Sequence, residues 1–177
     1  LSKYLKSVDN EINKELKNKE VPLILYCDEG LFHFYKTITD YNHLLDTFIN
    51  GSPDNLSDQD IYEKTTKIIK DYIDNRKENI KNEFKELFGT SKTNIDIKNI
   101  IPNAYFGKVY SLLINGTKKL EGYYNTKENK VYQTEDGKDT YDLYNYAAIL
   151  ALKNGGDVYV LDENLPNKIE IEAINRY

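Results

Sequence analysis

Leu1, Leu5, Val8, Ile12 and Leu16 recur every three or four positions, a spacing that predicts an amphipathic helix over residues 1–19. The pattern then changes. Val21 to Cys27 (VPLILYC) is a continuous apolar run entered through Pro22, as expected of a strand buried on both faces. Asp28, Glu29 and Gly30 punctuate it, and Leu31 to Ile38 suits either a short helix or a second strand. Leu44 to Ile49 reads as extended, and Asn50-Gly51-Ser52-Pro53-Asp54 gathers turn-forming residues into a loop. Ser57 with Asp60 three residues later has the form of a capping box, with Asp in place of the usual Glu. It opens a helix whose apolar stripe of Ile61, Thr65, Ile68, Tyr72, Ile80, Phe84 and Leu87 runs to Gly89, roughly 45 Å if unbroken. The stripe lapses at Asn75 to Asn79, where a bend or a solvated projection is expected.

Asp96 to Phe106 is helical in pattern, with a kink or a break expected at Pro102 and a stop at Gly107. Val109 to Ile114 (VYSLLI) is the next buried strand. Leu120 to Tyr124 and Lys130 to Gln133 flank Asn125 to Asn129 as a hairpin. Thr140 to Lys153 is a helix, with Leu143, Ala147, Leu150 and Ala151 on its buried face and Gly155 at its cap. Asp157 to Leu161 (DVYVL) is a third buried strand, and the alternation in Ile169 to Ile174 suits a strand nearer the sheet edge. Strands separated by helices point to the α/β class, a three-layer α/β/α sandwich with a mixed central sheet. VPLILYC, VYSLLI and DVYVL are expected side by side in that one sheet.

Composition narrows the class. The chain has 177 residues, 40% hydrophobic and 30% charged, and no apolar run approaches the roughly 18 residues of a membrane span. One domain over 1–177 is expected. The lone Cys27 makes no internal disulfide, and with no signal-peptide pattern the expected setting is the cytoplasm. Methionine is absent, so the chain is read as a fragment of a longer protein. A net charge of −5 lacks the basic footprint of an independent nucleic-acid binder.

Candidate chemistry is sparse. His33 and His43, with Cys27 and Asp28, match no zinc spacing, and Cys27 closes an apolar run with no base beside it. Gly155-Gly156 follows a helix instead of preceding one, so no phosphate cradle is expected there. No catalytic residue, metal or cofactor is expected. Sixteen tyrosines stand out, and Tyr123, Tyr124 and Tyr132 on the hairpin are a candidate exposed aromatic patch for a partner. Cross-strand packing is the competing reading of the same three residues.

Several strings carry a family likeness. Gly51-Ser52-Pro53-Asp54-Asn55-Leu56-Ser57-Asp58-Gln59-Asp60-Ile61-Tyr62 resembles the loop and helix start of the bacterial members of the archaeo-eukaryotic peptide-chain release factor family. Ala104-Tyr105-Phe106-Gly107-Lys108-Val109 is similar to that family's helix exit into a central strand. Tyr146-Ala147-Ala148, Gly155 to Leu161, and Ala173-Ile174-Asn175-Arg176-Tyr177 resemble the helix, glycine cap and strands that follow. The resemblance is to the third, C-terminal domain, from about residue 21 to 177. It implies a fold like that of the kink-turn-binding ribosomal proteins.

The family's catalytic Gly-Gly-Gln loop belongs to the middle domain. Here Gly155-Gly156 is followed by Asp157, so a hydrolytic role is not carried over. The resemblance implies a non-catalytic interaction domain of a ribosome-associated protein of termination, rescue or dormancy. The partners it implies are the ribosome, a translational GTPase, or both. Two other readings stand beside it: a direct binder of kink-turn RNA, and a small hydrolase with Asp28, Asn115 and Asp162 at the carboxyl ends of the strands.

Overall fold

In the computed structural model, residues 1–17, 21–52, 54, 56–134, 139–162, 165 and 169–177 are described. The chain forms two compact units, Leu1–Asp74 and Asn75–Tyr177. Residues 18–19 of the expected first helix, and Pro53 and Asn55 of the expected loop, lie outside the described residues.

In the first unit, α1 (Ser2–Glu15) buries Leu5 and Asp9 on one face. The Asp9 carboxylate is fully buried and tied to the second helix region. It accepts from Tyr35 Oη (2.9 Å), Thr39 Oγ1 (2.6 Å), the Asp40 backbone N–H (3.2 Å) and Lys6 Nζ (3.3 Å). Burial opposes its charge, but the bonds from Thr39, Tyr35 and Asp40 outweigh burial and hold the carboxyl below its ordinary range.

Leu31 to Ile38 resolves as helix, within α2 (Glu29–Ile38), because Asp28 caps it by accepting from the Leu31 N–H at 2.9 Å. The expected strand Val21–Cys27 is reduced to β1 (Tyr26–Cys27). It runs parallel to β2 (Ile49–Asn50), with a further bridge between Leu23 and Leu44. This is a two-stranded ladder in the first unit, and VPLILYC therefore does not share a sheet with VYSLLI and DVYVL. The physical reason is partial cover. Leu23 to Tyr26 are only half-buried, and an apolar run carries no signal of which neighbour will cover it.

Helix α3 (Asp58–Leu87) begins at the expected box: Ser57 Oγ accepts from the Asp60 N–H, and the Asp60 carboxylate accepts from the Ser57 N–H. Its buried residues, Ile80 and Phe84, belong to the second unit.

The second unit is the α/β body. β4 (Val109–Asn115) lies parallel to β8 (Asp157–Leu161) and antiparallel to β9 (Ile171–Asn175), which pairs on its other side with β3 (Thr93–Asn94). The order β3-β9-β4-β8 is a mixed sheet. Alternation divides its side chains between two faces. Val109, Leu112, Ile114, Ile171 and Ala173 pack with α4 (Ile97–Tyr105) and α5 (Leu143–Lys153). Leu113, Leu161 and Ile174 pack with Ile80 and Phe84 of α3. Helices thus cover both faces, the three-layer sandwich expected from sequence.

Three placements differ from the sequence reading. Pro102 sits inside the single helix α4 and does not break it into two pieces: the Phe106 N–H still bonds the Pro102 carbonyl at 3.0 Å. The helix over 140–153 starts later, because Tyr141–Asp142 forms β7, paired with β5 (Glu121–Asn125), and Asp142 caps α5. The third difference is the sheet order: β9 is interior and β8 is the edge, with Val160 51% exposed.

Glu172 explains why β9 misled. Its alternating glutamates read as a solvent-facing edge, yet Glu172 is 2% exposed, in register with Leu113 on the α3 face. Burial pushes its carboxyl up to about 7, and Lys85 and Lys81 of α3 offset only part of that. In the unfolded chain the group titrates near 4.5, so the folded state binds this proton more tightly. Stability from it is fully present below 4.5 and is lost as pH rises through about 7. Denaturant unfolding at pH 5 and pH 8 is expected to show Glu172→Gln removing about 2 kcal/mol of this pH-dependent loss.

Candidate partner-binding surface

The hairpin of β5 and β6 (Lys130–Gln133) sets Tyr123 opposite Tyr132 and Tyr124 opposite Val131. Because successive side chains of a strand leave opposite faces, the three candidate tyrosines divide. Tyr123 and Tyr132 stack on the outer face, with ring centroids 5.0 Å apart and planes 16° apart. Tyr123 is 37% exposed. Tyr124 turns inward, 7% exposed, into the core beneath α4 and α5, and so is not part of an exposed patch.

The turn that sets this register is built by side chains. Asn125 Oδ1 accepts from the Lys127 and Glu128 N–H groups at 3.0 and 3.2 Å, and Asn129 takes the left-handed conformation at φ 52. Tyr124 Oη then donates to Asn129 Oδ1 at 2.6 Å. On the outer face the Tyr132 hydroxyl donates to the Glu128 carboxylate, which raises its phenol pKa and fixes the ring against Tyr123. Burial likewise raises the phenol of Tyr124, with a smaller contribution from Tyr105. The outer pair is thus a flat, preset aromatic surface with a carboxylate at its rim.

The other candidates have local roles. Gly155 (φ 73) and Gly156 complete the C-terminus of α5: their N–H groups bond Leu152 O at 3.1 Å and Ala151 O at 2.8 Å, a Schellman cap. Asn115 Oδ1 accepts from Thr117 N–H (2.9 Å) and Oγ1 (2.7 Å), Asp28 caps α2 in the first unit, and Asp162 is exposed after β8. Cys27 is buried, and burial raises its thiol pKa. His33 lies 3.7 Å from Glu29 and edge-on to Phe32, while His43 is edge-on to Tyr41. Among the described residues no group of three or more His, Cys, Asp or Glu is placed to hold a metal ion. No helix among them is long and apolar enough to cross a membrane. In the first unit, Asp58, Ile61, Tyr62, Thr65, Thr66 and Ile69 line a shallow groove along α3.

The outward side of α5, for which the spacing of buried positions gives no expectation, is apolar as well. Leu143, Ala147, Leu150 and Ala151 are buried as expected, but Ile149 and Leu152 on the opposite side are 53% and 60% exposed. A helix that is apolar all round is the signal that could have found them.

Residues 1–108 match the model of bacterial archaeo-eukaryotic release factor family 3. The chain belongs to this family. The match takes in the first helix, the Gly51 to Tyr62 string and the exit at Ala104 to Lys108. The family likeness of Tyr146 to Leu161 and Ala173 to Tyr177 lies beyond the matched stretch.

No curated protein matches the family 3 chain by sequence. Among solved structures it is similar to archaeal Pelota in a model of ribosome-bound archaeal Pelota and ABCE1, with TM-score 0.57 and 12% identity over 99% of this chain. It spans about half of that protein, 49% of its length. A second neighbour is the C-terminal domain of peptide chain release factor from Methanosarcina mazei, with TM-score 0.48 and 18% identity over 70% of this chain and 97% of that one. At such identity the Pelota likeness speaks for the fold of this family member.

The inward and outward tyrosines are expected to separate in unfolding experiments. Tyr124→Ala should cost about 3 kcal/mol or more as a core truncation. Tyr132→Ala should cost about 1 kcal/mol, the scale of one surface aromatic pair.

Proposed function

We propose that this chain is a non-catalytic interaction domain, the C-terminal module of a ribosome-associated, peptide-chain-release-factor-like protein. Its parent acts in termination, rescue or dormancy, and its partners are the ribosome, a translational GTPase, or both. The observation that carries this reading is the family match over residues 1–108. The fold likeness to a Pelota chain described as ribosome-bound supports it from a second direction.

The local chemistry agrees with docking in preference to catalysis. The paired glycines close a helix, Asn115 and Asp28 serve a turn and a cap, and the Gly-Gly-Asp string has no glutamine to offer. What the second unit does present outward is the Tyr123–Tyr132 stack, held flat by its hairpin. Aromatic side chains bury large area at small entropic cost, which suits a contact surface.

The test is pelleting of the full-length protein with purified ribosomes through a sucrose cushion. The wild type is expected to co-sediment. Tyr123→Ala combined with Tyr132→Ala should weaken the association by roughly tenfold, the loss typical of an interface hot spot. A full-length protein that stays in the supernatant would remove the ribosomal reading.

A further inference from the structure

The C-termini of α4 and α5 meet at one corner of the second unit. Both end in the same way. At α4 the Gly107 N–H bonds Ala104 O at 3.1 Å and the Lys108 N–H bonds Asn103 O at 2.8 Å, with Gly107 at φ 72, which repeats the α5 cap. Asn154, the C-cap of α5, joins the two ends by donating its side-chain N–H to Ala104 O at 2.8 Å. Arg176 closes the corner from β9. Its backbone N–H bonds Lys108 O at 2.8 Å, and its guanidinium donates to Gly155 O at 2.7 Å and Asn154 O at 3.3 Å.

This corner exposes apolar residues that the body leaves uncovered. Tyr105 and Phe106 are 41% and 59% exposed, with their rings edge-on at 5.2 Å, and Ile149 and Leu152 stand on the outward side of the helix ending there. Lys108 and Arg176, joined through their backbones, and Lys153 in the last turn of α5 belong to the same corner. Lys108 and Lys153 have no ion-pair partner among the described residues. The one acidic side chain in residues 104–110, 149–157 and 175–177 is Asp157, and Arg76 already holds it at 2.7 Å. The cations are partly explained by the helix ends, whose last carbonyls favour positive charge. That explanation does not cover the four apolar side chains.

We propose that this corner is a docking site for an acidic, apolar-faced segment of a partner protein, with Phe106, Ile149 and Leu152 as anchors and Lys108, Lys153 and Arg176 as its charged rim. The inference rests on the reading of the chain as an interaction module and names the chemistry of a partner. Charge complementarity selects an acidic occupant. Three rim cations in a unit whose acidic and basic side chains balance lack the basic excess that a phosphate backbone calls for. Spaced carboxylates can meet the three cations individually.

The test uses the full chain and a fluorescein-labelled synthetic peptide with leucines at helical spacing and glutamates on the flanks. Binding by anisotropy is expected to weaken as salt rises. Leu152→Asp and the double variant Lys108→Glu, Lys153→Glu should each weaken it by roughly tenfold or more, with unfolding curves unchanged. The milder Lys108→Gln, Lys153→Gln pair should lose most of the salt dependence even if the reversals disturb folding. Four results would overturn the proposal. They are absence of binding, equal affinity for the peptide carrying glutamine in place of glutamate, preferential binding of single-stranded RNA at the corner, and self-association abolished by the same variants. Ribosome pelleting of these variants is read separately: failure of the parent reading removes co-sedimentation of the wild type, whereas failure of the corner proposal leaves it intact.

Discussion

The second unit depends on one constraint: the central strands β4 and β9 must be buried on both faces at once. Leu112 and Ile114 point one way and Leu113 the other, while Ile171 and Ala173 oppose Glu172 and Ile174 across the same ladder. A strand covered on one side only would leave half of those residues in water. The body therefore needs α4 and α5 on one face and the end of α3 on the other. Once α4 and α5 are held side by side over the sheet, their C-terminal ends meet and the hairpin of β5 and β6 packs beneath them through Tyr124. Both candidate contact surfaces follow from that arrangement.

Glu172 marks where the constraint is strained. A carboxylate on the α3 side of an interior strand must be reached by Lys81 and Lys85, and burial still pushes its titration to about 7. Burying a charge is costly unless it is well paired, so this position trades stability against pH. Asp9 in the first unit shows the opposite outcome. There hydrogen bonds from Thr39, Tyr35 and Asp40 outweigh burial, and the carboxylate stays charged.

Much of the fold was legible because local chemistry decided it. The Ser57–Asp60 box, the Gly107 and Gly155 stops and the Asn125 turn each declare themselves within a few residues, whereas Asp96 and Asp142, expected inside their helices, cap them instead. Sheet membership was less legible, because it depends on distant partners. VYSLLI and DVYVL pair as expected, but VPLILYC, equally apolar, pairs only with β2 in the first unit. The edge and interior strands were exchanged for a related reason: glutamates look solvent-facing whether or not a helix bearing lysines lies over them. On the hairpin, alternation alone assigns Tyr123 and Tyr124 to opposite faces, and the structure shows which face is solvent. Whole-chain charge concealed another feature, since the net negative charge belongs to residues 1–74, and residues 75–177 carry equal numbers of acidic and basic side chains.

Family membership rests on residues 1–108, while the two contact surfaces draw chiefly on residues after them, so ancestry and mode of docking are separate matters. The most direct measurement of the docking account is amide hydrogen exchange of the full-length protein, free and with ribosomes. The account predicts slowed exchange across Glu121–Gln133, on the strands that carry the stacked tyrosines, when ribosomes are present. Exchange in that hairpin unchanged by saturating ribosomes would contradict it.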